Sequence, residues 1–157
     1  MDPFDIHKAP PFRFFVVFNK LNKTLQGILK EHFNEHQLTS TEFAVLDALA
    51  THQKLPIQEI GSIVLITSGA ITHVLRGLEK KGLVKREQAT TDKRMYYAQL
   101  TEEGKSFWEA YVPHHQQFIR NLFREFDLNE LTQITELLKK LGLYLTNQSQ
   151  EDNKGEK

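Results

Sequence analysis

Two sets of side chains in this sequence have the types and spacing to do chemistry. The first is a run of cations. Residues 76–100 hold Arg76, Lys80, Lys81, Lys85, Arg86, Lys93 and Arg94 against Glu79, Glu87 and Asp92, a net charge of +4. Residues 1–75 carry −1 and residues 101–157 carry −3, so the formal total of zero conceals a basic block between acidic flanks. Such a block is commonly a solvated helix face, and it becomes a phosphate-binding surface only if local structure gathers it on one side. The second set is histidine. His32-x-x-x-His36 has the spacing of two ligands on one helical face, and His114-His115 follows further along. Neighbouring residues on a helix point about 100° apart, so only one of the latter pair could join such a site.

Several chemistries are excluded. The chain has no cysteine, which removes disulfides, thiol catalysis, thiol redox sensing and cysteine-based zinc sites. A zinc site without thiolates would need carboxylates as well. No metal or cofactor is assigned on the spacing alone, and a regulatory metal on His32, His36 and His115 remains an alternative. No glycine-rich phosphate loop, nucleophile elbow or carboxylate pair on one face is present, so an enzyme is not expected. No apolar run is long enough to span a bilayer, and the start MDPFDIHKAPP lacks the apolar core of a secretory signal. With 39% hydrophobic and 25% charged residues the chain reads as a cytoplasmic globular protein able to bury a real core.

The elements that must position these residues are mostly helical. Residues 1–11 read as a frayed arm. Phe14, Phe18, Leu21, Leu25, Ile28 and His32 form the stripe of a long first helix. Thr39 and Glu42 have capping-box spacing ahead of a second helix carrying Phe43, Leu46 and Leu49 and ending near His52. Pro56 suits the first turn of a short third helix with Ile57, Ile60 and Ile63. Thr67-Ser68-Gly69 caps a fourth, with Ala70, Ile71, Val74, Leu75 and Leu78 inward, and Lys80-Lys81-Gly82 ends it. Residues 83–87 and 95–100 then read as two strands joined by residues 88–94, the only β signal detected. A fifth helix starts at residues 101–103, is expected to kink or break at Pro113, and carries Trp108, Tyr111, His115, Phe118 and Phe126. A sixth begins at Asp127 or Asn129, and residues 147–157 read as a disordered tail.

Three short helices followed by a hairpin make a winged helix-turn-helix, so the expected class is mainly α, with N- and C-terminal dimerisation helices around a DNA-binding domain. The expected boundaries are 38–100 for the winged domain and 1–37 with 101–146 for the dimerisation region. A major groove admits one α-helix, and the fourth helix offers Ser68, Thr72, His73 and Arg76 on the face away from its apolar residues. Lys80, Lys81, Lys85 and Lys93 are candidate phosphate contacts. The long terminal stripes and 11 phenylalanines exceed what a small winged domain can bury, which points to a homodimer. Phe14, Phe15, Trp108, Tyr111 and Phe118 are candidates for an aromatic ligand pocket beside the winged domain. A winged module for protein interaction without DNA is the other alternative.

The segment Asp92-Lys93-Arg94 through Leu100-Thr101-Glu102-Glu103-Gly104 resembles the D-x-R…L-T-x-x-G wing motif of MarR-family transcriptional regulators. Leu38-Thr39 through Leu46, and Leu78-Glu79-Lys80-Lys81-Gly82-Leu83-Val84, resemble family segments at matching spacing, so the likeness spans residues 12–146. It implies a dimeric cytoplasmic regulator, usually a repressor, that binds double-stranded palindromic DNA and is often released by a small aromatic or phenolic ligand. It also implies that Arg94 enters a minor groove, oriented by a salt bridge from Asp92. Pro56 stands where the family commonly has a capping Ser or Thr, and Ala98 is smaller than the usual branched aliphatic.

Overall fold

The computed structural model describes residues 9–90 and 92–155. Most of the expected N-terminal arm, Thr91 of the wing and the last two residues lie outside them. The chain forms two units, one ending at Ala110 and one beginning at Tyr111.

In the first unit, α1 (Pro10–Glu35) leads through a tight turn into α2 (Ser40–His52). Pro10 stands in the opening turn of α1, where its missing N–H has no helical partner to lose. The capping box at α2 forms: Thr39 Oγ1 accepts from Glu42 N at 3.1 Å, and Glu42 Oε2 accepts from Thr39 N at 2.8 Å. Then come β1 (Lys54–Pro56), α3 (Ile57–Val64), α4 (Ser68–Lys80), β2 (Val84–Gln88), β3 (Tyr96–Leu100) and the start of α5 (Glu102–Leu122). Leu38, Val45, Leu46, Leu49, Ile60, Ile71, Leu75 and Leu78 are fully buried and make the core between α2, α3 and α4. Burying each such side chain contributes roughly 1.5–3 kcal/mol. An aromatic ladder flanks it, with Phe33 stacked on Phe43 at 4.7 Å and Phe43 against Trp108 at 5.4 Å.

The sheet has one more strand than the sequence pattern indicates. β1 pairs antiparallel with β3, giving the order β1-β3-β2 and setting Leu55 beside Ala98. Pro56 therefore ends a strand and stands at the N-cap of α3 without a side-chain cap, rather than opening the helix. Ala98 is fully buried between its neighbours Leu55 and Arg86, which explains why a small residue suits the centre of the sheet.

The hairpin is fastened at both ends. α4 closes in a Schellman motif, Gly82 N donating to Glu79 O and Leu83 N to Leu78 O, with Gly82 at φ +74°. Thr101 Oγ1 donates to Gly82 O at 2.5 Å and accepts from Gly104 N at 2.9 Å, so it caps α5 and ties it to the hairpin. A Cβ on Gly104 would lie 2.0 Å from the Leu83 carbonyl oxygen. This is the physical reason for the threonine and glycine in the L-T-x-x-G pattern.

α5 runs unbroken through Pro113 as a single helix. Pro113 deprives the Glu109 carbonyl of its helical donor, but both residues are exposed, so water can replace that bond. In the second unit, Asp127 caps α6 (Leu128–Gly155) with a capping box of its own, Asp127 Oδ1 accepting from Glu130 N at 2.8 Å and Glu130 Oε2 from Asp127 N at 2.9 Å. α6 continues past residue 147, where a disordered tail was expected. Gln, Glu and Lys are good helix formers, and propagating a helix already nucleated costs far less than starting one.

Candidate nucleic-acid interface

α3 and α4 meet at 104°, within the range of about 90–120° of helix-turn-helix motifs. Leu65 makes the turn in the left-handed conformation, φ 57°, and the Gly61 carbonyl accepts from Ile66 N at 3.0 Å. Thr67 caps α4, its Oγ1 accepting from Ala70 N at 3.4 Å. With Ile71, Leu75 and Leu78 buried, the opposite face presents Ser68, His73, Arg76 and Lys80 to solvent. Thr72 is half-buried and donates its hydroxyl to Ser68 O at 3.1 Å, which leaves Oγ1 able to accept.

The wing is held by its own polar atoms. Ala89 N donates to Met95 O, Met95 N donates to Asp92 O (both 2.9 Å), and Gln88 Nε2 donates to the Lys93 carbonyl. Asp92 grips Arg94 three times: Oδ1 accepts from the backbone N at 2.9 Å and from Nε at 3.1 Å, and Oδ2 accepts from Nη2 at 3.1 Å. These bonds, those from the side chain first, hold the Asp92 carboxyl below the usual aspartate range, so it stays ionised. The Arg94 side chain is nevertheless 91% exposed, a donor fork fixed in direction at the tip of the hairpin.

Ser68 and Thr72 of α4 and Arg94 of the wing come together on one groove of about 260 Å³, with Ile57, Gln58, Ile71, Arg86 and Tyr96 completing its wall. His73, Arg76 and Lys80 lie on the exposed face of α4 outside that wall, and Lys93 is exposed on the wing. Gln58 and Tyr96 were not anticipated. An exposed glutamine in the first turn of the helix preceding α4 is the signal that could have found the former.

The basic block is not uniformly turned to solvent. Lys81 Nζ donates to Gln37 O and to Glu42 Oε1, both at 2.7 Å, fastening the end of α4 to the α1–α2 turn. Arg86 forks onto Glu79, Nε to Oε1 at 2.8 Å and Nη2 to Oε2 at 2.6 Å, which keeps its guanidinium protonated beyond its ordinary range. Glu87 accepts from Lys54 at 2.7 Å and Gln99 at 2.8 Å and lies 3.5 Å from Lys85; the bond from Lys54 chiefly lowers its carboxyl below the ordinary range. Among the described residues no ion pair joins Arg76, Lys80 or Lys93 to a carboxylate. The cations that present their charge most openly are thus Arg76, Lys80, Lys93 and the fixed Arg94, while Lys81 and Arg86 are tied to carboxylates as struts.

The expected pocket aromatics fall in both units. Trp108 lines a cavity of about 420 Å³ with Leu49, Ala50, Gln53, Gln99, Leu100, Lys105 and Glu109, and Phe14 and Phe15 are not in its wall. Phe14 stacks on Phe18 at 5.7 Å on α1, and Phe15 is 66% exposed. In the second unit Tyr111 is 2% exposed, and burial pushes its phenol up to about 12. Its ring stacks on His115 at 5.9 Å, and His115 on Phe118 at 6.4 Å.

Residues 38–96 match the sequence profile of the MarR family. The chain is 34% identical over 131 residues to the HTH-type transcriptional regulator MhqR of Bacillus subtilis (strain 168), covering 83% of this chain and 90% of that protein. AbsC, a MarR family transcriptional regulator from Streptomyces coelicolor, superposes with a TM-score of 0.80 at 21% identity, over 88% of this chain and 97% of that one. A mutant MarR from E. coli complexed with operator DNA superposes with a TM-score of 0.75 at 24% identity, over 90% and 99%.

Proposed function

Because this chain belongs to the MarR family of transcriptional regulators, we propose that it is a homodimeric repressor of palindromic operators, released by a small aromatic or phenolic ligand. The observation that carries the DNA reading is the groove shared by Ser68, Thr72 and Arg94, with Arg76, His73 and Lys80 on the adjoining face. α4 enters a major groove: Ser68, Thr72, His73 and Arg76 face base edges, and Lys80 and Lys93 face phosphates. Arg94, aimed by Asp92, reaches the neighbouring minor groove, where a narrow groove concentrates negative potential. A cytoplasmic location follows from this role.

Dimerisation is supported by the apolar surface that a single chain leaves uncovered. Phe15 and Val17 of α1 are 66% and 63% exposed, and Leu137 of α6 is 68% exposed. A second copy packed against these helices would remove such side chains from water. Two copies would present recognition helices to half-sites about 34 Å apart. The cavity beside Trp108 is within the size range of small-ligand sites and offers Lys105 to an acidic or phenolic group. A ligand there would act by favouring a dimer with wrongly spaced helices.

The test is a titration of the full chain against duplexes selected from a random pool and against unselected duplexes, at two salt concentrations. Selected duplexes are expected to bind about a thousandfold more tightly, with affinity falling as salt rises. Equal affinity for both pools would end the sequence-specific reading.

A further inference from the structure

The last turn of α1 carries a cluster that the DNA reading does not use. His32, Glu35 and His36 each offer one ligating atom, and all three atoms lie within 4.8 Å of one another. Residues at i, i+3 and i+4 share one helix face, so the backbone itself gathers them. Histidine spacing alone did not include Glu35, the carboxylate that a cysteine-free site requires. We propose that His32, Glu35 and His36 form a binding site for a zinc-class divalent cation, completed by water in an open coordination position. Tetrahedral zinc with bonds of about 2.0–2.1 Å needs ligand atoms about 3.3 Å apart. Rotation of the exposed Glu35 and half-buried His36 side chains would close that difference around a buried His32.

The chemistry of the donor set selects the ion. Two imidazoles and one carboxylate suit zinc and its transition-metal neighbours, whereas magnesium and calcium require oxygen donors. The cluster also lies at the C-terminal end of a 26-residue helix, where unpaired carbonyls favour a cation. Three protein ligands with an open position describe an exchangeable site, not a closed structural one. The site adjoins the α4 strut: His36 is the C-cap of α1, and the carbonyl of the next residue, Gln37, is the one Lys81 grips.

The test is equilibrium dialysis of the full chain against zinc chloride, with cobalt(II) chloride as the spectroscopic probe. It needs no DNA, so its outcome is independent of the operator reading. One zinc per chain is expected, with the visible absorption of tetrahedral cobalt and no displacement by excess magnesium. His36→Ala and Glu35→Gln, both outside the core, should each weaken binding by about tenfold or more while helical circular dichroism stays unchanged. Absence of zinc binding in the unaltered chain overturns the proposal. So does unchanged affinity in both variants, which would put the ion elsewhere.

Discussion

Asp92 and Arg94 allow charge and orientation to be separated in one experiment. Replacing Arg94 with alanine removes a cation and its donor fork together. If Arg94 enters the minor groove and its charge offsets one flanking phosphate, the slope of log affinity against log salt should shallow by about 0.9 per wing. A fourfold rise in salt then costs the variant about 3.5-fold less affinity per wing than it costs the unaltered protein. Asp92→Ala is different. It removes the bonds to Arg94 N, Nε and Nη2, at 2.9, 3.1 and 3.1 Å, but takes away no cation. The arginine must then be ordered at the moment of binding, which should weaken affinity by roughly two- to tenfold per wing. The salt slope should stay the same or steepen, because an anion has been lost. Arg94→Lys completes the set: it should restore the slope without restoring affinity, since an ammonium lacks the planar fork. Fluorescence anisotropy titrations on a selected duplex at two salt concentrations read all four proteins. Unchanged affinity of Asp92→Ala at both salts would refute the orienting role, and an unchanged slope for Arg94→Ala would remove Arg94 from the interface.

Three further outcomes follow from the packing. Glu42→Ala removes the carboxylate half of the α2 capping box, which accepts from Thr39 N, and the bond from Lys81, so about 1 kcal/mol of capping and roughly 1.5–3 kcal/mol of charge-assisted bonding are lost. At roughly 2–4 °C per kcal/mol, Tm should fall by about 5–15 °C by differential scanning calorimetry. Gly104→Ala drives a methyl group against the Leu83 carbonyl and should cost about 1–3 kcal/mol or more, measured as a lower urea midpoint; an unchanged midpoint would contradict the close approach. Tyr111, raised to about 12 from an ordinary value of about 10, makes stability pH-dependent. Below pH 10 both states hold the proton; from there to about 12 the unfolded chain ionises first, so stability falls as pH rises. Urea midpoints across that window should decline more steeply for the unaltered protein than for Tyr111→Phe.

Whether a feature could be read in advance depended on how far along the chain its cause lies. Thr39 with Glu42, the glycine stop at Gly82 and the cap of α4 were legible because each is closed by atoms a few residues apart. β1 was not. It is three residues long, too short to show a period, and exists because Lys54 faces Gln99 across the sheet. Lys81 was indistinguishable from its neighbour Lys80 as a surface cation, and both are exposed, yet Lys81 alone is anchored to Glu42, 39 residues away. Pro113 does not break α5, because on an exposed face water can replace the bond that the local rule counts as lost. Polar composition beyond residue 146 likewise concealed the continuation of α6.

The sequence by itself determined the winged helix-turn-helix, the family motif, the bias of positive charge to residues 76–100 and the polar face of α4, because these follow from local periodicity, capping and composition. Only the tertiary structure decided which cations are tied to carboxylates. It also supplied the third strand of the sheet, the groove joining Ser68 and Thr72 to Arg94, and Glu35 as a partner for the two histidines. Most of these depend on the distance between side chains remote in sequence, which only the closed fold sets. The histidine cluster depends on the handedness and pitch of a helix that the sequence indicates but does not measure.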